Sequence, residues 1–411
     1  MQRLSKLVGL WALLMLSSPA LLACDGDQSS TRNPDDAKAD DDELGDAKLS
    51  GQGPGGIAQL TGAMANADPK IIEAEALLNT GKYEQALATI EAAIAENPSH
   101  ARFHYVRGNA LSYLDRDDEA ATAYKKAIEL DEADGYPHAA LGNLIAFRKG
   151  ATVEDRREAI AHYQTALKLA PKLASAHQSL GAVLLALGEY QKAVEALETA
   201  ARLGGNVETA YLLAQAHGEL GNHEKALAFA KSAVEYEPGA SGVDLRLLYA
   251  RLLMKAGRTK DAAREFERVA KLVPDSAPMR LEVARGLLEL GDPDAAMIHM
   301  DWLIEVMPNA IPVIVNHGRI LVAQGRAKDA IARFDEALAI QPQSQAAQTY
   351  KIEALLAAKR CRDARALFKT LAKQLDWDPS GPQSENQSEN QPRALVKAQG
   401  FLDAGKCKSA P

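Results

Sequence analysis

Small and bulky apolar positions recur along this chain with a period close to 34 residues. Ala86, Ala120, Ala159, Ala193, Ala226, Ala262, Ala296, Ala330 and Ala364 follow one another at intervals of 34, 39, 34, 33, 36, 34, 34 and 34. In most units a second small residue stands 12 positions earlier (Ala74, Gly108, Gly181, Ala214, Ala250, Ala284, Gly318), and Gly142 leads by five more. A bulky residue trails by four at Ile90, Tyr124, Tyr163, Leu197, Phe266, Met300, Phe334 and Phe368. Gly81, Gly188, Gly221, Gly257, Gly291 and Gly325 punctuate the middle of the units, where a turn between helices tolerates positive φ. Pro98, Pro171, Pro238, Pro274, Pro308 and Pro342 punctuate the ends, where a missing N–H costs least. The pattern predicts successive helical hairpins, helix A then helix B, in which small residues allow close approach and the bulky residue fills the gap.

These small, small and large positions resemble the tetratricopeptide repeat. The resemblance covers residues 67–376 in nine units and implies an all-α fold, a right-handed α-solenoid of about nine helix-turn-helix repeats. Three departures are local. The third unit carries an insertion around Gly150 to Arg156, the fifth has Ala230 at the bulky position with Phe229 beside it, and the ninth has Ile352 at the small position. Residues 377–393 read as a polar linker and residues 394–411 as a C-terminal capping helix that looks like helix A again. Aligned on Gly405, Cys407 falls where Cys361 falls in the ninth unit, so a Cys361–Cys407 disulfide pinning that helix is expected in an oxidising compartment.

Composition agrees with helices: aromatic residues are only 5% of the chain, too few for sheet faces. The N-terminal residues form a separate region. Arg3 and Lys6 precede the apolar run Leu7 to Leu16, and Leu21-Leu22-Ala23-Cys24 follows. The segment 1–23 resembles a bacterial lipoprotein signal peptide, which implies lipid (palmitate-type) modification of Cys24 and a solenoid held in the periplasm by a membrane anchor. Inner and outer membrane both stay open. Within the tether 24–66, residues 25–50 hold nine acids against three cations, a net of −6 in a chain of net −8, so this stretch is expected to be disordered.

Family resemblance places one face of the A helices along a groove. The position after the small residue reads Asn109, Asn143, Ala182, Gln215, Arg251, Arg285, Arg319 and Glu353, and Tyr105, Tyr113, Phe147 and Tyr211 also project from groove positions. The three arginines present forked donors suited to carboxylates, which predicts an extended or helical acidic protein segment as partner. Pairing with Glu282, Asp244 and Glu289 is the plainer alternative for them, as core packing is for Phe147. The lysines of a carboxylate clamp are absent at the neighbouring positions. His104, His138 and His177 recur at one helix A position and are read as packing residues rather than metal ligands. No zinc-type cysteine spacing, phosphate loop or nucleophile elbow is present, and the acidic balance disfavours nucleic acid. The expectation is a non-catalytic scaffold or adaptor in the bacterial cell envelope, with no cofactor, metal or small-molecule substrate; the alternative is a glycan- or peptidoglycan-associated adaptor or regulator of a cell-wall enzyme.

Overall fold

The structure, a computed structural model, describes residues 68–375 other than Pro238, together with residues 393–404. All of them belong to one compact unit spanning residues 47–411. The expected signal peptide 1–23, the expected tether 24–66, the linker up to Pro392 and Cys407 lie outside the described residues.

The described residues form nineteen α-helices and no strand. The A helices are α1 (Pro69–Asn79), α3 (Ala101–Tyr113), α5 (Gly135–Phe147), α7 (Ala174–Ala186), α9 (Val207–Glu219), α11 (Val243–Lys255), α13 (Ala277–Glu289), α15 (Ile311–Ala323) and α17 (Gln345–Ala357). The B helices are α2 (Tyr83–Glu96), α4 (Asp117–Leu130), α6 (Val153–Leu169), α8 (Tyr190–Arg202), α10 (His223–Tyr236), α12 (Thr259–Leu272), α14 (Pro293–Val306), α16 (Ala327–Ile340) and α18 (Cys361–Gln374). A final helix, α19 (Arg393–Ala404), packs against α17 and α18 in the place of a further helix A. Each helix packs on its chain neighbours. Most successive A helices also touch one another, whereas successive B helices do not to a comparable extent, so the A side is the tighter, inner side of the stack.

The small positions do what their size permits. A Cβ on Gly108 would sit 2.4 Å from the Tyr124 ring, one on Gly142 2.9 Å from Tyr163, one on Gly181 2.5 Å from Leu197 and one on Gly318 2.6 Å from Phe334. Repeat six has Ala250 at the small position. Its Phe266 is accommodated instead by Gly286 of the next A helix, where a Cβ would come within 2.3 Å of the ring. The insertion in the third repeat becomes helix: α6 runs 17 residues, with Thr152 and Asp155 forming a reciprocal capping box at its start. In repeat nine Ile352 is fully buried, so the stack absorbs the larger side chain.

The six turn glycines have φ between 72° and 80°. In repeats two and nine the same left-handed position is held by Asp115 (φ 57°) and Lys359 (φ 61°). A lysine there carries a Cβ against the following carbonyl, a cost of roughly 1–2 kcal/mol that glycine avoids. Lys359→Gly is therefore expected to raise the urea midpoint of the C-terminal repeats by a net stabilisation of about 1 kcal/mol. An unchanged or lower midpoint would count against this reading of the turn.

The repeated histidine position is structural. His104 Nε2 donates to the Pro98 carbonyl at 2.8 Å and His177 Nε2 to that of Pro171 at 3.0 Å. Arg280 and Gln348 do the same to Pro274 and Pro342 at 2.6 and 2.9 Å. Each donor lies six residues after its proline and ties the start of helix A to the preceding inter-repeat turn. His138 follows no such proline; its ring lies 5.9 Å from that of His162.

Candidate functional site

The A-helix face is built one column per repeat, and its residues are tied across repeat boundaries. Near the N-terminal end Arg102 pairs with Glu75 at 3.1 Å and lies over the rings of Tyr105 (4.5 Å) and Tyr136 (5.4 Å), which meet edge to face. Burial raises the Tyr105 hydroxyl pKa, with Arg102 opposing. Tyr113 stacks on Tyr83 with centroids 4.7 Å apart. In the centre Gln178 donates to Glu208 at 2.9 Å and accepts from Thr209 at 2.7 Å, binding α7 to α9.

The asparagines of the groove column are engaged within their own repeats. Tyr124 donates to Asn109 Oδ1 at 2.9 Å, and Tyr163 donates to Asn143 Oδ1 at 2.8 Å. A buried tyrosine at the bulky position needs an acceptor, and the residue after the small glycine supplies it. Where the bulky residue is Leu197, the same column holds Ala182. Gln215 leaves its Oε1 buried with no hydrogen-bond partner. Beside it Tyr211 is pushed up to about 12 by burial, with the Asp244 charge adding to the shift and Arg251 opposing it. Burial likewise raises the Asp244 carboxyl, against Arg251. Phe147 is partly buried and packs with Ala146, Ala159, Tyr163 and Val183, the core role that its position left open.

The arginine ladder is also tied into the fold. Arg251 donates to Glu282 on the next A helix, and Arg285 Nη1 donates to the other oxygen of that carboxylate at 2.8 Å. Two guanidiniums thus share one carboxylate. Arg319 donates to Asn316 at 2.9 Å and lies 4.6 Å above the Tyr350 ring, whose hydroxyl accepts from Lys397 of α19 at 3.1 Å. Burial raises the Glu353 carboxyl, and Arg319 and Lys397 oppose it. The column is a chain of mixed charge rather than a run of open cations.

Cys361 is disulfide-bonded. Its expected partner Cys407 lies outside the described residues, as does Cys24. Among the described residues no group of three or more His, Cys, Asp or Glu is arranged to hold a metal, and no helix is long and apolar enough to cross a membrane. A shallow depression of about 400 Å³ between α12 and α14 is lined by Arg264, Glu267, Arg268, Lys271, Leu287 and Asp292 among others. It brings no nucleophile together with a base. Sequence reasoning missed the buried Arg246–Glu265 pair, which joins α11 to α12 behind the groove.

No curated protein matches the sequence. Among solved structures the chain is similar to the Cut9–Hcn1 hetero-tetramer of APC/C, at 17% identity and TM-score 0.49, covering 73% of this chain and 57% of that one. It thus spans little more than half the length of that relative. PilW, a type IV pilus biogenesis factor, aligns at 19% identity and TM-score 0.46, over 51% of this chain and 96% of its own. A tetratricopeptide repeat protein from Parabacteroides merdae aligns at 18% and 0.47, over 61% and 97%. Models described as the tetratricopeptide repeat match residues 73–137, 157–188, 184–243, 218–278 and 321–379, which together span more than half of the sequence. With its nine stacked helix pairs, the chain belongs to the tetratricopeptide-repeat family.

Proposed function

We propose that this protein is a non-catalytic interaction scaffold of the bacterial cell envelope, anchored through a lipid on Cys24, that holds partner segments along its A-helix face. The repeat fold supports a protein-binding role. The sequence around Cys24 supports the anchor, with the solenoid in the periplasm. One observation carries the choice of partner: Arg251 and Arg285, both partly exposed, converge on the single carboxylate of Glu282, so two forked cations stand together on the A-helix face. An acidic side chain from an extended or helical segment completes that cluster, with Arg319 one repeat further on.

The test has two arms. Replacing Arg251, Arg285 and Arg319 together by glutamate is expected to cut recovery of a crosslinked partner by at least about tenfold, the loss of one charge-assisted contact. Recovery equal to that of the native chain refutes the acidic-segment reading. Cys24→Ala is expected to move the protein from membrane to soluble fractions and to remove the acyl mass. Unaltered membrane fractionation refutes the anchor. The exposed ring of Tyr136 beside Tyr105 favours one second reading, a glycan-associated adaptor. That reading requires sacculus binding that falls on Tyr105→Ala and Tyr136→Ala.

A further inference from the structure

Helix α18 differs from the other B helices in its outer face. Its buried side is Ala364, Phe368, Leu371 and Ala372. Opposite, Arg362, Lys369 and Lys373 are exposed, as is Arg365. At 7 and 11 residues from Arg362, Lys369 and Lys373 lie almost two and three whole turns away, so the three stand in a line about 16 Å long. The only acid on the helix, Asp363, is taken by Arg360 at 2.7 Å. No ion pair to Arg362, Lys369 or Lys373 is found among the described residues. The two arginines on the outer face of α12 are arranged differently: Arg264 pairs with Asp261 and Arg268 with Glu265 of the same helix.

We propose that this stripe is a docking surface for an anionic phospholipid bilayer. Its form decides between a membrane and a protein. The cations lie along the exposed back of one helix, and among the described residues that helix exposes no aromatic anchor to read a shaped ligand. A plane of phosphate headgroups asks only for aligned positive charge. Each Lys or Arg near such a surface contributes roughly 1 kcal/mol, so the three give weak binding that matters when a tether already holds the chain nearby. The proposal rests on the anchored reading for its setting in the cell. Its chemistry is tested without the anchor.

The probe is the full chain carrying Cys24→Ser, so that no acyl group contributes, floated with vesicles of phosphatidylcholine alone or mixed with phosphatidylglycerol. Binding is expected only to the mixed vesicles, and to weaken as salt is raised. Arg362→Glu with Lys369→Glu and Lys373→Glu should lower it roughly a hundredfold, from three contacts of about 1 kcal/mol each. The same charge change at Lys125, Lys126 and Lys168, exposed on α4 and α6, should leave most of it. Neutralising the stripe with glutamine provides the same loss should the glutamate variant not fold, which circular dichroism reports. Equal loss from both triple variants overturns the proposal. So does absence of phosphatidylglycerol-dependent binding, or binding of soluble polyglutamate in its place. None of these outcomes bears on the acyl mass at Cys24 or on the groove arginines, so the anchored-scaffold reading stands or falls separately.

Discussion

Cutting Phe334 back to alanine is expected to cost about 3–5 kcal/mol. The ring is fully buried and fills the space left by Gly318. Because contacts in a solenoid are between neighbours, the loss should appear as faster amide exchange in α15 to α17 before it appears in the N-terminal repeats. The glycine makes a sharper test. Gly318→Ala places a Cβ 2.6 Å from a ring that is enclosed and cannot swing away, an overpacking cost of about 1–3 kcal/mol. Repeat seven solves the same problem with Ala284 and Met300. Transplanting that pair, as Gly318→Ala with Phe334→Met, should recover most of the loss, with a coupling of about 0.5–3 kcal/mol. Additive losses would mean that the two side chains do not share one space.

Glu265→Ala is expected to cost about 3–5 kcal/mol, because it removes the carboxylate that balances the buried charge of the Arg246 guanidinium. Arg246 and Glu265 are 9% and 7% exposed, and Arg268 also donates to that carboxylate. Replacing both partners by apolar residues of similar volume, Arg246→Met with Glu265→Leu, should restore stability to near the native value or above it. Urea unfolding of the three chains checks this. A single variant as stable as the native chain would show that water reaches the guanidinium.

The period of the alanines was enough to place all nine hairpins, because steric demand at the helix crossings repeats with the sequence. The column of turn glycines was legible for the same reason, and Asp115 and Lys359 occupy it at the strain that a side chain brings there. The asparagine column was visible, but as a groove-facing column. Asn109 and Asn143 stand in repeats whose bulky residue is tyrosine, and only geometry showed that their oxygens serve those hydroxyls. Gly286 was not legible as the partner of Phe266, since the space it provides belongs to the neighbouring repeat. The arginine ladder was open to two readings, open donors for a partner or pairing with neighbouring acids, and Arg251 takes the second by reaching across a repeat boundary to Glu282. The partner was legible only as an acidic segment, because finer choice depends on which side chains remain unsatisfied after the repeats have stacked.

The central claim is that the A-helix face holds protein segments. Site-specific photo-crosslinking tests it most directly, with the reactive residue placed either at Tyr211 in the groove or at Ile298, which is 69% exposed on the B-helix side. In cells making the native-length chain, discrete protein adducts are expected from position 211 and not from 298. Adducts from 298 alone, or none from 211, would contradict it.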